Sequence, residues 1–163
     1  MNTAVMFSSL SGEWTTPKDL FEALDNEFHF TLDAAASDEN HLCERYYTKK
    51  DNALMQPWTG TVFCNPPYGK EVGKWVIKAF EEIGGTFPSR PHADKIVLLL
   101  PSRTDTKWFQ MIISMQSHGF PKVVERIWFI PGRLKFGGAS NSAPFPSVVV
   151  VLGCKGGDAD QTE

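Results

Sequence analysis

The 163 residues of this chain predict an α/β fold, a mostly parallel sheet with an antiparallel edge strand. Three observations carry that expectation. Residues 95–100 (KIVLLL) form the continuous apolar run expected of a parallel strand covered on both faces. Strand-like segments alternate with amphipathic helical ones along most of the chain. The last two strand segments, 122–130 and 147–152 (SVVVVL), have only a Gly-containing stretch around Gly137 and Gly138 between them, which predicts an antiparallel hairpin at one edge.

The elements follow in order. Thr16-Pro17 before KDLFEALDNEF reads as a helix start, with threonine as cap and proline at the first helical position. Phe21, Leu24 and Phe28 recur on one face of that helix. Residues 30–33 (FTLD) make a short strand ending in a carboxylate. Residues 61–64 (TVFC) make a second strand that runs directly into Asn65-Pro66-Pro67-Tyr68-Gly69. Residues 71–83 form a helix with Val72, Trp75, Val76, Ala79, Phe80 and Ile83 on one side, stopped by Gly84-Gly85. A third helix is expected over 104–117, with Thr104 or Asp105 as its cap.

Size and composition fit a single domain over 12–153, with flexible termini at 1–11 and 154–163. Hydrophobic residues are 42% and charged residues 21% of the chain, and no apolar run reaches membrane-spanning length. With no signal peptide at the start, a cytoplasmic location is expected, without membrane attachment or an obligate protein partner. Cys43, Cys64 and Cys154 show no paired spacing and read as reduced thiols; His29, His41, His92 and His118 form no ligand pattern, so no metal is expected. Most of the tryptophans read as core, with Trp14 bordering a pocket. A formal net charge of −3 weighs against nucleic-acid binding, although local charge matters more than the sum.

The strongest chemical signal is the Asn65–Tyr68 tetrapeptide. A strand that delivers it at its carboxyl end places it where open α/β sheets bind ligands. The Asn65 side-chain oxygen and the Pro66 carbonyl are two acceptors. The prolines stiffen the loop, since each fixes its own φ and restricts the residue before it. Two such acceptors on the hydrogens of a planar, weakly nucleophilic amino group favour a tetrahedral nitrogen and disperse the charge that develops on it during methyl transfer. Tyr68 offers a ring to stack on the acceptor. No metal or activated nucleophile is required.

With EWTTPKDLFEAL, FTLDAAAS, YYTKKDNAL, FCNPPYG, LLPSRTDTKWF, GRLKF and PFPSVVVVL in order, the chain resembles the phage and prophage DNA N-6-adenine methyltransferases, the Dam-like family. The resemblance runs from about Trp14 to Leu152 and makes 12–153 a methyltransferase domain. It implies a Rossmann-like fold, S-adenosylmethionine as methyl donor, and adenine flipped out of double-stranded DNA as acceptor. It also implies modification of phage DNA that protects against host restriction, in the host cytoplasm if the chain is phage-encoded. By the same resemblance, Thr15, Thr16, Pro17, Asp33, Ala34, Asp51 and Asn65 would meet the cofactor, and Asn65, Pro66, Pro67 and Tyr68 would form the target-base loop.

Lys70, Arg103, Thr104, Arg133 and Lys135 are candidate DNA contacts, and the loops 86–94 and 133–144 would have to read bases. The family's Gly-rich turn is replaced by Ala34-Ala35-Ala36-Ser37. The stretch from Asp33 to Asn65 is too short for two full strand–helix units, so a second strand with a ribose-binding acid is expected to be degenerate. Asp38 and Glu44 are the possible stand-ins. The loop chemistry alone equally suits an RNA adenine or a protein glutamine amide, and a non-catalytic nucleic-acid-binding relative is the alternative of another class.

Overall fold

The computed structural model describes residues 14–84, 92–118 and 123–153. The termini expected to be flexible, most of the loop 86–94, the Gly84-Gly85 helix stop beyond Gly84, and Cys154 lie outside the described residues.

Among the described residues, three α-helices pack on one mixed five-stranded sheet: α1 (Lys18–Phe28), β1 (Leu32–Asp33), β2 (Gly60–Cys64), α2 (Val72–Gly84), β3 (Ala93–Pro101), α3 (Lys107–His118), β4 (Val124–Phe129) and β5 (Ser147–Gly153). The spatial order is β1-β2-β3-β5-β4. The β1–β2 and β2–β3 pairings are parallel, and β3–β5 and β4–β5 are antiparallel.

This corrects the expected sheet. The antiparallel strand is not at the edge but lies inside, between β3 and β4, and half of the pairings are antiparallel. The hairpin of β4 and β5 forms as expected, yet the more apolar of its strands takes the interior place. Every residue of β5 is buried, whereas β4 reads buried only at Val124 and leaves Trp128 and Phe129 exposed. Hydrophobic burial decides which strand of the hairpin meets β3.

Both sheet faces are covered, which is why β3 and β5 lack polar alternation. Ile96, Leu98 and Leu100 of β3 point with Val148, Val150 and Leu152 toward Val76, Ala79 and Ile83 of α2 and Phe109 and Ile112 of α3. Val97 and Leu99 point the other way, with Phe63, Val149 and Val151, toward Phe21 and Leu24 of α1.

The start of α1 differs from expectation. Pro17 takes the cap position, its carbonyl accepting the Phe21 N–H at 3.1 Å, and no side chain caps the helix. The Thr16 hydroxyl is turned elsewhere. The helix α3 likewise starts later than expected: Thr106, not Thr104 or Asp105, accepts the Phe109 N–H through its hydroxyl at 3.3 Å.

Between β1 and β2 the chain forms no second helix–strand unit. Instead Asp33 and Tyr46 make one parallel bridge, with Asp33 N–H donating to the Arg45 carbonyl and Tyr47 N–H to the Asp33 carbonyl, each at 3.0 Å. A single bridge stands where a further strand would extend the sheet. Below it, Trp58 is fully buried, donating Nε1–H to the Ala53 carbonyl and its backbone N–H to the Glu82 carboxylate. Glu82 also receives Lys78 and His92, so the buried carboxylate ties α2 to both the β2 entry and the β3 entry. Burial pushes the Glu82 carboxyl pKa up, but these donors outweigh it and hold it below the usual value.

Candidate active site

A cavity of about 610 Å³ opens at the carboxyl ends of β1 and β2, the edge at which parallel sheets bind ligands. Its walls are the strap of Trp14, Thr15 and Thr16, the turn after β1 from Asp33 onward, the segment around Tyr47 to Asn52, and the loop from Asn65 to Pro67. This size suits a ligand on the scale of a nucleoside derivative.

Asp33 sits at the bottom of one wall, only 2% exposed. Its two carboxylate oxygens accept the N–H groups of Ala35 at 3.3 Å and Leu42 at 3.1 Å. The bond to the residue two positions on is an Asx turn, and it shapes the alanine turn that replaces a Gly-rich one. Burial pushes the Asp33 pKa up to about 6, and the hydrogen bonds only partly offset this.

Asn65 is the other anchor. Its Nδ2 donates to the Trp14 carbonyl and, at 3.0 Å, to the Thr16 hydroxyl oxygen. A carbonyl can only accept, so this pair fixes which end of the amide is nitrogen. The Asn65 Oδ1 is buried and has no hydrogen-bond partner among the described residues. An orphaned buried acceptor costs about 1–3 kcal/mol, and such groups in a native fold call for a functional reason.

The structure brings together Thr15, Thr16, Asp33, Ala34, Asn65, Pro66 and Pro67 in the cavity lining. Pro17 is not among these; with Lys135 it borders a shallow depression beside α1. Asp51 is also absent from the lining. Its carboxylate closes a turn, accepting the Thr48 N–H at 2.7 Å and hydroxyl at 2.9 Å, and these bonds lower its pKa. Tyr68 is turned out of the cavity: its hydroxyl donates to the Leu99 carbonyl at 3.3 Å and its ring meets Phe136 and Phe145 edge-on. Burial pushes its pKa well up. In this arrangement Tyr68 supports the loop from behind.

Of the two acids considered in place of a ribose-binding residue, Asp38 lines the cavity and accepts the Tyr46 hydroxyl at 3.1 Å, while Glu44 does not line it. Tyr47, Asn52 and Trp75 line it too and were not singled out from the sequence. The aromatic pair Tyr46-Tyr47 was the available signal, since such residues favour strand positions.

Lys70, Arg103, Thr104, Arg133 and Lys135 are all exposed and outside the cavity. They follow β2, β3 and β4, which run in one direction, so their loops share the cavity's edge of the sheet. Cys43 and Cys64 are buried free thiols whose pKa values burial pushes up, to about 12 for Cys43. Neither is a nucleophile at neutral pH. Among the described residues, no group of three or more His, Cys, Asp or Glu could hold a metal, and no helix is long and apolar enough to cross a membrane.

A mixed α/β sheet with a ligand cavity at its strand ends, bordered by a proline-stiffened loop of hydrogen-bond acceptors, is the class these features define. The chain belongs to the DNA N-6-adenine-methyltransferase (Dam) family, whose model matches residues 5–155. It is 35% identical over 99 residues to a DNA N-6-adenine-methyltransferase of Escherichia phage T1, covering 59% of this chain and 38% of that one. It is 31% identical over 104 residues to a DNA N-6-adenine-methyltransferase of Haemophilus phage HP1 (strain HP1c1), covering 61% and 56%. A 64-residue match at 38% identity to YfdM of Escherichia coli (strain K12) covers 34% of this chain and 70% of that protein. The matched region thus spans 38% and 56% of the two phage relatives, less than two thirds of either.

Proposed function

We propose that this protein transfers a methyl group from S-adenosylmethionine to the exocyclic amino group of adenine in DNA. The observation that carries the reading is the orphaned Asn65 Oδ1, an acceptor held in the cavity wall with both amide hydrogens already engaged elsewhere. Such an atom calls for a donor, and an amino group is one.

The residues present fit the methyl donor. A buried carboxylate at Asp33 suits an ammonium group, and Trp14, Ala34, Ala53 and Trp75 supply apolar walls for a purine ring. We place Thr15, Asp33 and Ala34 as cofactor contacts. When bound, S-adenosylmethionine supplies a methyl group on a sulfonium leaving group. Asn65 Oδ1 and the Pro66 carbonyl accept the two amino hydrogens of the target, draw the nitrogen toward tetrahedral geometry and spread the positive charge that builds on it. The stiffness of Pro66-Pro67 keeps these dipoles in place, so little reorganisation accompanies reaction.

The exposed cations Lys70, Arg103, Arg133 and Lys135, with Thr104, would meet phosphates of a duplex whose adenine is flipped into the cavity. On this reading the fold is a Rossmann-like methyltransferase domain, acting in the cytoplasm on phage DNA and guarding it from host restriction. The test is incubation with labelled S-adenosylmethionine and unmethylated phage or host DNA, followed by nucleoside analysis. N6-methyladenine is the expected product. Label on RNA or protein, or none on DNA, would overturn the reading.

A further inference from the structure

We infer that Thr16 is a positioning residue for Asn65: its hydroxyl oxygen, together with the Trp14 carbonyl, holds Nδ2 and so fixes the amide with Oδ1 as its free acceptor. This deepens the proposed function and rests on it for its catalytic arm. An asparagine amide is nearly symmetric in shape, so a half-turn about its last torsion exchanges oxygen and nitrogen at little steric cost. Orientation must therefore come from its partners. Nδ2 has two acceptors, the Trp14 carbonyl and Thr16 Oγ1 at 3.0 Å, while Oδ1 has no donor among the described residues. Turning the amide over would set its oxygen against a carbonyl oxygen.

The consequence is a selection rule. With both hydrogens used inside the protein, the hydrogen-bonding capacity left to Asn65 is that of an acceptor and not a donor. An amino-bearing ring is engaged, whereas a ring carrying a carbonyl at that place meets oxygen with oxygen.

The strap that delivers these two acceptors is itself pinned. The Trp14 ring lies edge-on against Phe136 at 5.4 Å and Phe145 at 5.1 Å. The Thr15 carbonyl accepts the Gly137 N–H at 2.8 Å. Thr16 is only 9% exposed, and its hydroxyl caps no helix. The β4–β5 connection thus holds the strap, and the strap holds the amide.

The test compares Thr16→Val, which keeps the shape and removes the acceptor, with Thr16→Ser, which keeps the acceptor. Two readouts are taken on each. The first is the Asn65 side-chain amide resonance pair in the cofactor-free protein, which needs no activity. Thr16→Val should shift one of its two hydrogens and speed its exchange with water, and Thr16→Ser should stay near wild type. The second is methylation of DNA adenine: Thr16→Val should lower kcat roughly 10- to 100-fold, the scale for a misplaced group. The dissociation constant for S-adenosylmethionine should change less than about twofold.

An unmoved amide resonance in Thr16→Val overturns the inference. So does a loss in cofactor affinity as large as the loss in kcat, which would make Thr16 a cofactor contact. If the resonance shifts as expected but the wild-type protein methylates no adenine, the positioning stands and the proposed function falls.

Discussion

Thr16 Oγ1 lies 3.0 Å from Asn65 Nδ2, joining a residue just before α1 to the first residue after β2 across 49 positions of sequence. The bond turns a symmetric-looking side chain into a directed acceptor.

Asn65→Asp should therefore be far from conservative. A carboxylate has no hydrogens for Trp14 and Thr16, and it would set an oxygen against the Trp14 carbonyl. A fall in kcat of at least about 100-fold is expected, comparable to loss of a preorganised dipole, with Asn65→Ala equally inactive and cofactor affinity largely kept. Steady-state kinetics with calorimetry checks this. Comparable losses of turnover and cofactor binding would show that Asn65 has been misassigned.

Asp33 sets a pH dependence. Its folded pKa, about 6, lies above the ordinary 3.8. Its stabilising contribution is thus complete below pH 3.8 and is lost as pH rises through about 6, a change on the order of 3 kcal/mol. Above that range the buried carboxylate weighs against folding until a cation joins it. S-adenosylmethionine should bind about 10-fold more weakly for each pH unit below 6. It should raise the melting temperature more at pH ~7.5 than at pH ~5. Equal binding at the two values would remove Asp33 from the cofactor site.

Glu82→Gln separates stability from chemistry. The buried carboxylate, 5% exposed, accepts from Lys78, His92 and the Trp58 N–H, and an amide cannot satisfy all three. A loss of about 2 kcal/mol is expected, below the scale for a fully buried pair because His92 is half exposed. Denaturant titration measures it, with kcat unchanged at temperatures where the variant is folded.

Tyr68→Phe removes the bond to the Leu99 carbonyl and keeps the ring between Phe136 and Phe145. A cost near 1 kcal/mol is expected. Tyr68→Ala should lose about 3 kcal/mol through the cavity it leaves. Melting curves of both variants decide whether Tyr68 supports the loop or serves only the bound base.

Gly137→Ala tests the pin on the strap. Gly137 has φ +58°, and an added Cβ would lie 3.4 Å from the Thr15 side chain. The left-handed backbone alone costs about 1 kcal/mol. Destabilisation should come with lower turnover as the strap shifts, seen by comparing melting temperature and kcat.

Much of this molecule was legible in its residues. The runs at β3 and β5 announced themselves because a strand covered on both faces keeps no polar alternation. The spacing of Phe21 and Leu24, and of Val72, Val76, Ala79 and Ile83, marked the buried faces of α1 and α2. The position of Asn65-Pro66-Pro67 directly after an apolar strand located the cavity's edge. Burial periodicity is written locally, one element at a time.

Only the tertiary structure decided the rest. It set β5 between β3 and β4 and drew Thr16 away from capping toward Asn65. It folded Tyr68 back on Leu99. These outcomes depend on partners distant in sequence, and a hydrogen bond between distant residues leaves no periodic trace in either of them. The sequence by itself determined which residues could serve as acceptors; the packing of the strap determined which end of the Asn65 amide is held.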